Sequence, residues 1–367
     1  MRKVTLLFLG TTGAGPVYSL EMAKSLVALN QYNLQVVIAD GLLNRETWVQ
    51  ELGESVKFEV VKTYRHTRLG VLLSFLSFWR PLRVVRLINR FNPDILYLPF
   101  GLVWSPIVFP LLNKSISIIY TLHDPYPHDN SSNILSTCYD KIANKARDKY
   151  SSGVVILNNR DKDYVHKNIC SNVVVIPHAS FGYYSQVKKN DSRAICNKKI
   201  GFIGRIEPYK GLDILLDAYQ LVKNEGISLL IAGSGYIPDD LMSIISSDDS
   251  ITLINRYIND NDFTLLLDSV DFVVLPYKRA SQSGIIPMAF AYGKAVIATN
   301  VGALSEQVPS GTGIIVSPSA HDLAQAILRF YKDNLFVAYG KNAQEYASSY
   351  LTWEHSARCL SDFINKV

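Results

Sequence analysis

Twice in this chain a short apolar run breaks at a glycine turn and gives way to a helical pattern. Val4–Leu9 is apolar at every position but Thr5. It is followed by Gly10-Thr11-Thr12-Gly13-Ala14-Gly15-Pro16, after which Leu20, Ala23 and Val27 share one helical face. Lys199–Ile203 is followed by Gly204-Arg205-Ile206-Glu207-Pro208-Tyr209-Lys210-Gly211, and then by Leu212, Leu215, Leu216, Tyr219 and Val222 at helical spacing. A strand without polar alternation is covered on both faces, which is the signature of a parallel sheet between helices. Val4–Leu9 is too short for a signal core or a membrane span, so it predicts a buried first strand.

The same alternation fills the rest of the chain. Apolar runs predict strands at Leu34–Ala39, Phe58–Val61, Asp94–Tyr97, Ser117–Leu122, Gly153–Leu157 and Val173–Ile176. After the restart they recur at Ser228–Ala232, Ile251–Ile254, Phe272–Leu275 and Ala295–Ala298. Helices are expected from Leu212 to near Gly226, from Met288 to Tyr292, over Asp322–Tyr331 and over Trp353–Ile364. The polar stretch from Ser180 to Lys198 marks a domain boundary. With 48% apolar residues, two domains can each build a core. The expectation is an α/β protein of two Rossmann-like, doubly wound domains, residues 1–180 and 181–349, whose shared cleft is the default site.

Several features carry chemistry. Arg205, Lys210 and the start of the following helix converge at a strand end, where backbone amides and the helix dipole favour an anion. They read either as a diphosphate cradle or as a surface loop with solvated cations. His123-Asp124 closes the Ser117–Leu122 run, stiffened by Pro125 and Pro127. His123 can hydrogen-bond a sugar hydroxyl or move a proton, or serve as a loop histidine. The first glycine loop has G-x-x-G-x-G spacing rather than that of a dinucleotide fingerprint, although Asp40 stands at about the right distance for a ribose. From Val60 to Pro93 there is no acidic residue, while Lys62, Arg65, Arg68, Arg80, Arg83, Arg86 and Arg90 alternate with Leu69, Phe75, Phe78 and Trp79. Such a segment suits an anionic membrane interface, or else packs on the sheet as two helices with solvated arginines. The net charge of +5 is too small to argue for nucleic acid. Cys138, Cys170, Cys196 and Cys359 have no metal-like spacing and fit reduced thiols.

With these residues laid out, the chain resembles glycosyltransferases of the two-Rossmann GT-B architecture. More narrowly, it resembles the family-4 group of retaining enzymes that use nucleotide sugars, most closely from Val175 to Val308. The resemblance implies that Arg205 and Lys210, after Gly204, hold the donor diphosphate and stabilise it as it leaves, so that no metal or other cofactor is needed. It implies that Gly13 and Gly15 lie near the acceptor and transferred sugar, and that His123 contacts that sugar. Gly235 and Arg256-Tyr257-Ile258 would border the nucleotide, and Ser283-Gly284-Ile285 would turn backbone amides to the phosphates. The last helix, 350–367, resembles one that packs back on the first domain. Many relatives carry two glutamates where this chain has Ala280 and Met288, and it has a Gln282-Ser283-Gly284 loop instead. The resemblance implies transfer of a hexose to a lipid-linked or surface-polysaccharide acceptor. The setting would be cytoplasmic, peripheral at the inner face of the cytoplasmic membrane. The lost glutamates leave open a non-catalytic subunit that binds a partner or a membrane.

Overall fold

The apolar runs become the strands of two parallel sheets. The computed structural model describes residues 1–63, 70, 74, 77–125, 134–180 and 198–367. Parts of the acid-free segment, most of the loop after His123 and nearly all of the polar stretch before Lys199 lie outside the described residues.

In the first sheet, β1 (Arg2–Phe8), β2 (Tyr32–Ala39), β3 (Lys57–Val61), β4 (Ile95–Leu98), β5 (Ser117–Leu122), β6 (Ser151–Ile156) and β7 (Val173–Val175) run in the order β3-β2-β1-β4-β5-β6-β7. In the second, β8 (Lys199–Ile203), β9 (Ser228–Ala232), β10 (Ile251–Ile254), β11 (Phe272–Leu275), β12 (Val296–Thr299) and β13 (Gly313–Val316) run in the order β10-β9-β8-β11-β12-β13. Neighbouring strands pair in parallel throughout, from β1·β2 and β1·β4 to β8·β9 and β8·β11. This is the α/β, Rossmann-like architecture expected from the alternation.

Burial explains why the runs are continuous. In β11, Phe272 and Val274 enter one apolar cluster, with Leu215, Tyr219 and Phe330, while Val273 and Leu275 enter another, with Ile286, Phe290 and Ala343. Successive side chains point to opposite faces, so a sheet covered on both sides needs apolar residues at every position. Thr5, the polar break in the first run, is fully buried and donates to Gln35 Oε1 at 2.8 Å on the adjacent strand.

Several elements differ from the sequence expectation, among them the helix Leu335–Tyr350, which it does not include. β13 is an edge strand half-exposed at all four positions, and the expectation omits it although Ile314, Ile315 and Val316 form a short apolar run. The helix expected at Met288 begins at Ile285 and runs to Ala291. Pro287 falls in its first turn, where a missing N–H leaves no intrahelical bond unmade.

The chain divides into two units, Met1–Pro177 with Trp353–Val367, and His178–Thr352. The C-terminal helix Trp353–Ile364 is fastened to the first unit. The Tyr32 hydroxyl meets Ser361 Oγ at 2.5 Å, and the Trp353 ring stands edge-on to Tyr18 at 4.9 Å. Leu360 on this helix is fully buried. Leu360→Ala should lower the stability of the first unit by about 2–5 kcal/mol, from lost transfer energy plus a residual cavity. Denaturant unfolding followed by tryptophan fluorescence measures it, since Trp48, Trp79, Trp104 and Trp353 all lie in that unit.

Candidate functional site

The strand orders place a topological switch point between β1 and β4 in the first unit and between β8 and β11 in the second. Loops at the carboxyl ends of these strands are where an open α/β sheet takes its ligand.

In the second unit, the loop after β8 is pressed against the loop after β11. Gly204 has φ +129°, and Gly211 has φ +69° with a position where a Cβ would stand 2.0 Å from the Pro276 carbonyl oxygen. Only glycine accepts both the left-handed backbone and the close approach. Between them Pro208–Lys210 forms one 3-10 turn that folds Lys210 inward. Lys210 is 8% exposed, its Nζ lies 5.0 Å from the centre of the Tyr277 ring, and it stands 3.1 Å from where a Cβ on Gly204 would be. Ile285 lies beside the same position, its Cδ1 3.4 Å from where that Cβ would be. The two loops are tied by Lys278 N–H to the Tyr209 carbonyl at 2.7 Å and by an ion pair between Lys278 and Asp213 at 2.6 Å.

Arg205 does not join this group. Its side chain is 71% exposed and pairs with Glu207 at 3.7 Å, an arrangement that contributes little by itself. The structure thus gathers Gly204, Lys210 and Ile285, with Tyr277 as an unforeseen wall.

Gly235, after β9, is clamped by Asn255, after β10. Asn255 Oδ1 accepts from Gly235 N–H at 3.2 Å and its Nδ2 donates to the Gly235 carbonyl at 3.0 Å. Arg256 is committed to Asp262 at 2.7 Å, Tyr257 is exposed, and Ile258 packs against the core. A second amide clamp holds the loop before Ile285. Gln307 Oε1 accepts from Ser283 N–H at 2.7 Å, and its Nε2 donates to the Ser283 carbonyl at 3.2 Å. Ser283 Oγ accepts from Ile285 N–H at 3.3 Å and meets the Tyr277 hydroxyl at 3.3 Å. Two of the amides that the resemblance turned to phosphate, those of Ser283 and Ile285, bond within the second unit's own loops here. Met288, at one of the positions where relatives carry glutamate, is buried in the apolar core, and Ala280 packs against the same cluster. Glu306 is exposed on the short helix that presents Gln307.

In the first unit, Gly13 has φ +82° and open space around its Cα, and Gly15 packs on the Phe8 ring. The Phe100 ring, just past β4, meets Phe8 edge-on at 5.9 Å and stacks on His123 at 3.9 Å. It thereby links the glycine loop to the histidine. His123 Nε2 lies 2.9 Å from the Pro99 carbonyl oxygen. That oxygen can only accept, so Nε2 carries the proton. Behind the imidazole, burial holds the phenols of Tyr18 and Tyr97 above their usual range, Tyr97 at about 12, so both remain neutral. Asp40, weighed above as a ribose ligand, accepts from Thr63 N–H at 3.2 Å. Among the described residues no group of three His, Cys, Asp or Glu could hold a metal ion, and Cys170 and Cys359 are free thiols. Phe100, Asn255 and Gln307 were not singled out from sequence. Only Phe100 carries a signal, its position at the end of a strand beside the switch point.

Residues 197–333 match the family described as glycosyl transferases group 1. An uncharacterized glycosyltransferase of Methanocaldococcus jannaschii is 22% identical over 338 residues, covering 83% of this chain and 84% of the relative. A GDP-mannose:glycolipid 4-beta-D-mannosyltransferase of Xanthomonas campestris is 29% identical over 114 residues, 29% of this chain and 33% of the relative. The fold is also that of HepE from Anabaena, solved in complex with UDP. It has a TM-score of 0.70 and 17% identity, covering all of both chains. Residues 197–333 are therefore a glycosyltransferase group 1 domain, in a chain with glycosyltransferase homologues and structural neighbours of the GT-B architecture.

The carbonyl contact at His123 makes a spectroscopic prediction. Nitrogen NMR of the imidazole above its titration range should show the Nε2-protonated tautomer, and Phe100→Ala should bring in the other form. A predominantly Nδ1-protonated ring in the unaltered protein would contradict the assigned contact.

Proposed function

We propose that this chain is a retaining glycosyltransferase that moves a hexose from a nucleoside diphosphate donor to a lipid-linked or surface-polysaccharide acceptor. The observation that carries this reading is Lys210. None of the ion pairs among the described residues includes its ammonium, although it is nearly buried beside bare backbone at Gly204. A lysine held in place by its covered stem, with no counter-charge among the described residues, offers its ammonium to an anion, and a diphosphate would supply that partner. In the reaction the bond from the sugar C1 to the phosphate oxygen breaks, and C1 bonds to the acceptor hydroxyl oxygen on the same face. The acceptor proton passes to the departing diphosphate. Lys210 faces the charge that develops on that diphosphate, which is where a fixed cation lowers a barrier most. Arg205 is close in sequence and free to swing in when a second phosphate charge arrives. His123, with its tautomer fixed, is the proposed contact to the sugar hydroxyls.

The acceptor class rests on the first unit. In the helix Trp79–Phe91, Pro81, Val84, Val85 and Ile88 are buried, while Arg83, Arg86 and Arg90 are exposed at a spacing that puts them on one face. Phe78 and Trp79, at its start, are both exposed. Cations beside exposed aromatic rings suit an anionic leaflet. No helix among the described residues is long and apolar enough to cross a membrane, so contact would be peripheral. The mannosyltransferase of Xanthomonas campestris, named for a glycolipid acceptor, supports the same class.

Incubation with a panel of nucleotide sugars in excess chelator should release a nucleoside diphosphate from one of them. Lys210→Met should lower that rate by about 10- to 100-fold while leaving the melting temperature of the free protein unchanged or higher. A folded protein that neither binds nor cleaves any nucleotide sugar would instead be a non-catalytic subunit. Reversing Arg83, Arg86 and Arg90 to Glu should reduce sedimentation with phosphatidylglycerol vesicles by about 100-fold or more, at roughly 1 kcal/mol per cation. Undiminished sedimentation would remove this helix as the membrane face.

A further inference from the structure

The phenol of Tyr18 is hooked to the same two strands that hold His123. Tyr18 lies near the start of the helix Gly15–Ala28 and is 2% exposed. Its hydroxyl hydrogen-bonds Tyr97, near the end of β4, and Thr121, near the end of β5. Tyr97 and Thr121 also meet each other at 2.9 Å. Two residues beyond Tyr97 is Pro99, whose carbonyl accepts from His123 Nε2, and Phe100 follows it. Two residues beyond Thr121 is His123 itself. One hydroxyl therefore ties together the strand that carries the imidazole and the strand that carries its carbonyl anchor.

The ring of Tyr18 reaches the imidazole directly. Its centre lies 5.1 Å from that of His123, with the planes at 75°. It lies 5.5 Å from Phe100 at 88°, so it stands across the stacked pair that Phe100 and His123 form. Trp353, on the C-terminal helix, meets Tyr18 in turn at 4.9 Å and 82°. Packing alone does not call for the hydroxyls. A phenylalanine would fill almost the same volume, and each buried hydroxyl gives up its water to be here. Bonded polar groups in a core select one arrangement among those that apolar packing would allow. Tyr97 and Thr121 are both closed off from solvent as well, so the whole network is of this kind.

We infer that Tyr18 is a positioning residue, which holds the plane of the His123 imidazole for its contact to the transferred sugar. This rests on the reading of His123 as the sugar contact. Tyr18, closed off from solvent, acts through the imidazole and touches no substrate. Its hydroxyl fixes where the ring stands, and the ring fixes where the Phe100–His123 stack stands. The Pro99 carbonyl then meets Nε2 at one angle only, which keeps a single tautomer.

The test uses Tyr18→Phe in the full chain, which keeps the ring and removes the hook. Thr121→Val cuts the same hook on the histidine's own strand, so the inference does not hang on one variant folding. Release of nucleoside diphosphate from the nucleotide sugar that the unaltered protein cleaves should fall about five- to tenfold in kcat, the worth of one hydrogen bond. Affinity for the matching nucleoside diphosphate, read by calorimetry, should change by less than about twofold, because Lys210 is untouched. Nitrogen NMR of His123 should show the Nδ1-protonated form entering beside the Nε2-protonated one. In a His123→Ala background, Tyr18→Phe should lower kcat no further. An unchanged His123 spectrum in both variants overturns the inference, as does an unchanged kcat. So does a loss of diphosphate affinity as large as the loss of kcat. A loss of kcat that persists in the His123→Ala background also overturns it, and makes Tyr18 a structural residue of the fold. Full activity of His123→Ala overturns the reading of His123 and the inference with it, an outcome distinct from full activity of Tyr18→Phe alone. A folded protein that cleaves no nucleotide sugar overturns both.

Discussion

A lysine side chain almost wholly covered by protein, its ammonium paired with no carboxylate among the described residues, sets the terms for the second unit. Lys210 occupies that position because a 3-10 turn folds it inward against Gly204 and the Tyr277 ring. The surrounding structure holds this side chain in place. Gly211 allows backbone-to-backbone contact with Pro276, Lys278 bridges to Tyr209 and Asp213, and Asn255 and Gln307 each grip a neighbouring loop by both backbone atoms. A cation fixed in a rigid setting without a protein partner among the described residues is arranged to meet an anionic ligand.

That setting depends on the sheets. Strands covered on both faces cannot shift by one residue without moving their polar neighbours into the core, so their ends are fixed in space. The switch points between β1 and β4 and between β8 and β11 then place Phe100 and His123 in one unit, and Gly204, Lys210 and Tyr277 in the other, on the least mobile scaffold available. In the first unit the same rigidity acts on an imidazole. The Pro99 carbonyl and the Phe100 ring fix the tautomer and plane of His123 before any substrate arrives.

Much of this was legible in the residues. Central strands announced themselves because burial on two faces leaves no room for polar positions, and the Gly204–Gly211 stretch showed its turn, its cations and the helix after it. The edge strand Gly313–Val316 did not, because its apolar run is only Ile314, Ile315 and Val316, too short between Gly313 and Ser317 to stand out. The helix at Ile285 started earlier than expected because proline is accepted in a first turn. Arg205 and Lys210 looked equivalent as neighbouring cations. Burial separates them, and burial depends on contacts from Tyr277, distant in sequence. The amide clamps were invisible for the same reason. Gln307 grips Ser283 from 24 residues away, and nothing in the local pattern of either residue announces the pair. The loss of acid at Met288 was visible, but not its cause: that side chain fills the core.

The central claim is that the ammonium of Lys210 is completed by a diphosphate. Calorimetric titration of the unaltered protein with each nucleoside diphosphate and its parent nucleoside tests it most directly. The account predicts that at least one diphosphate binds and that its nucleoside binds at least about tenfold more weakly, since a contact to a charged group is worth about 1.5–3 kcal/mol. Equal affinity for the two, or a folded protein that binds no diphosphate at all, would contradict it.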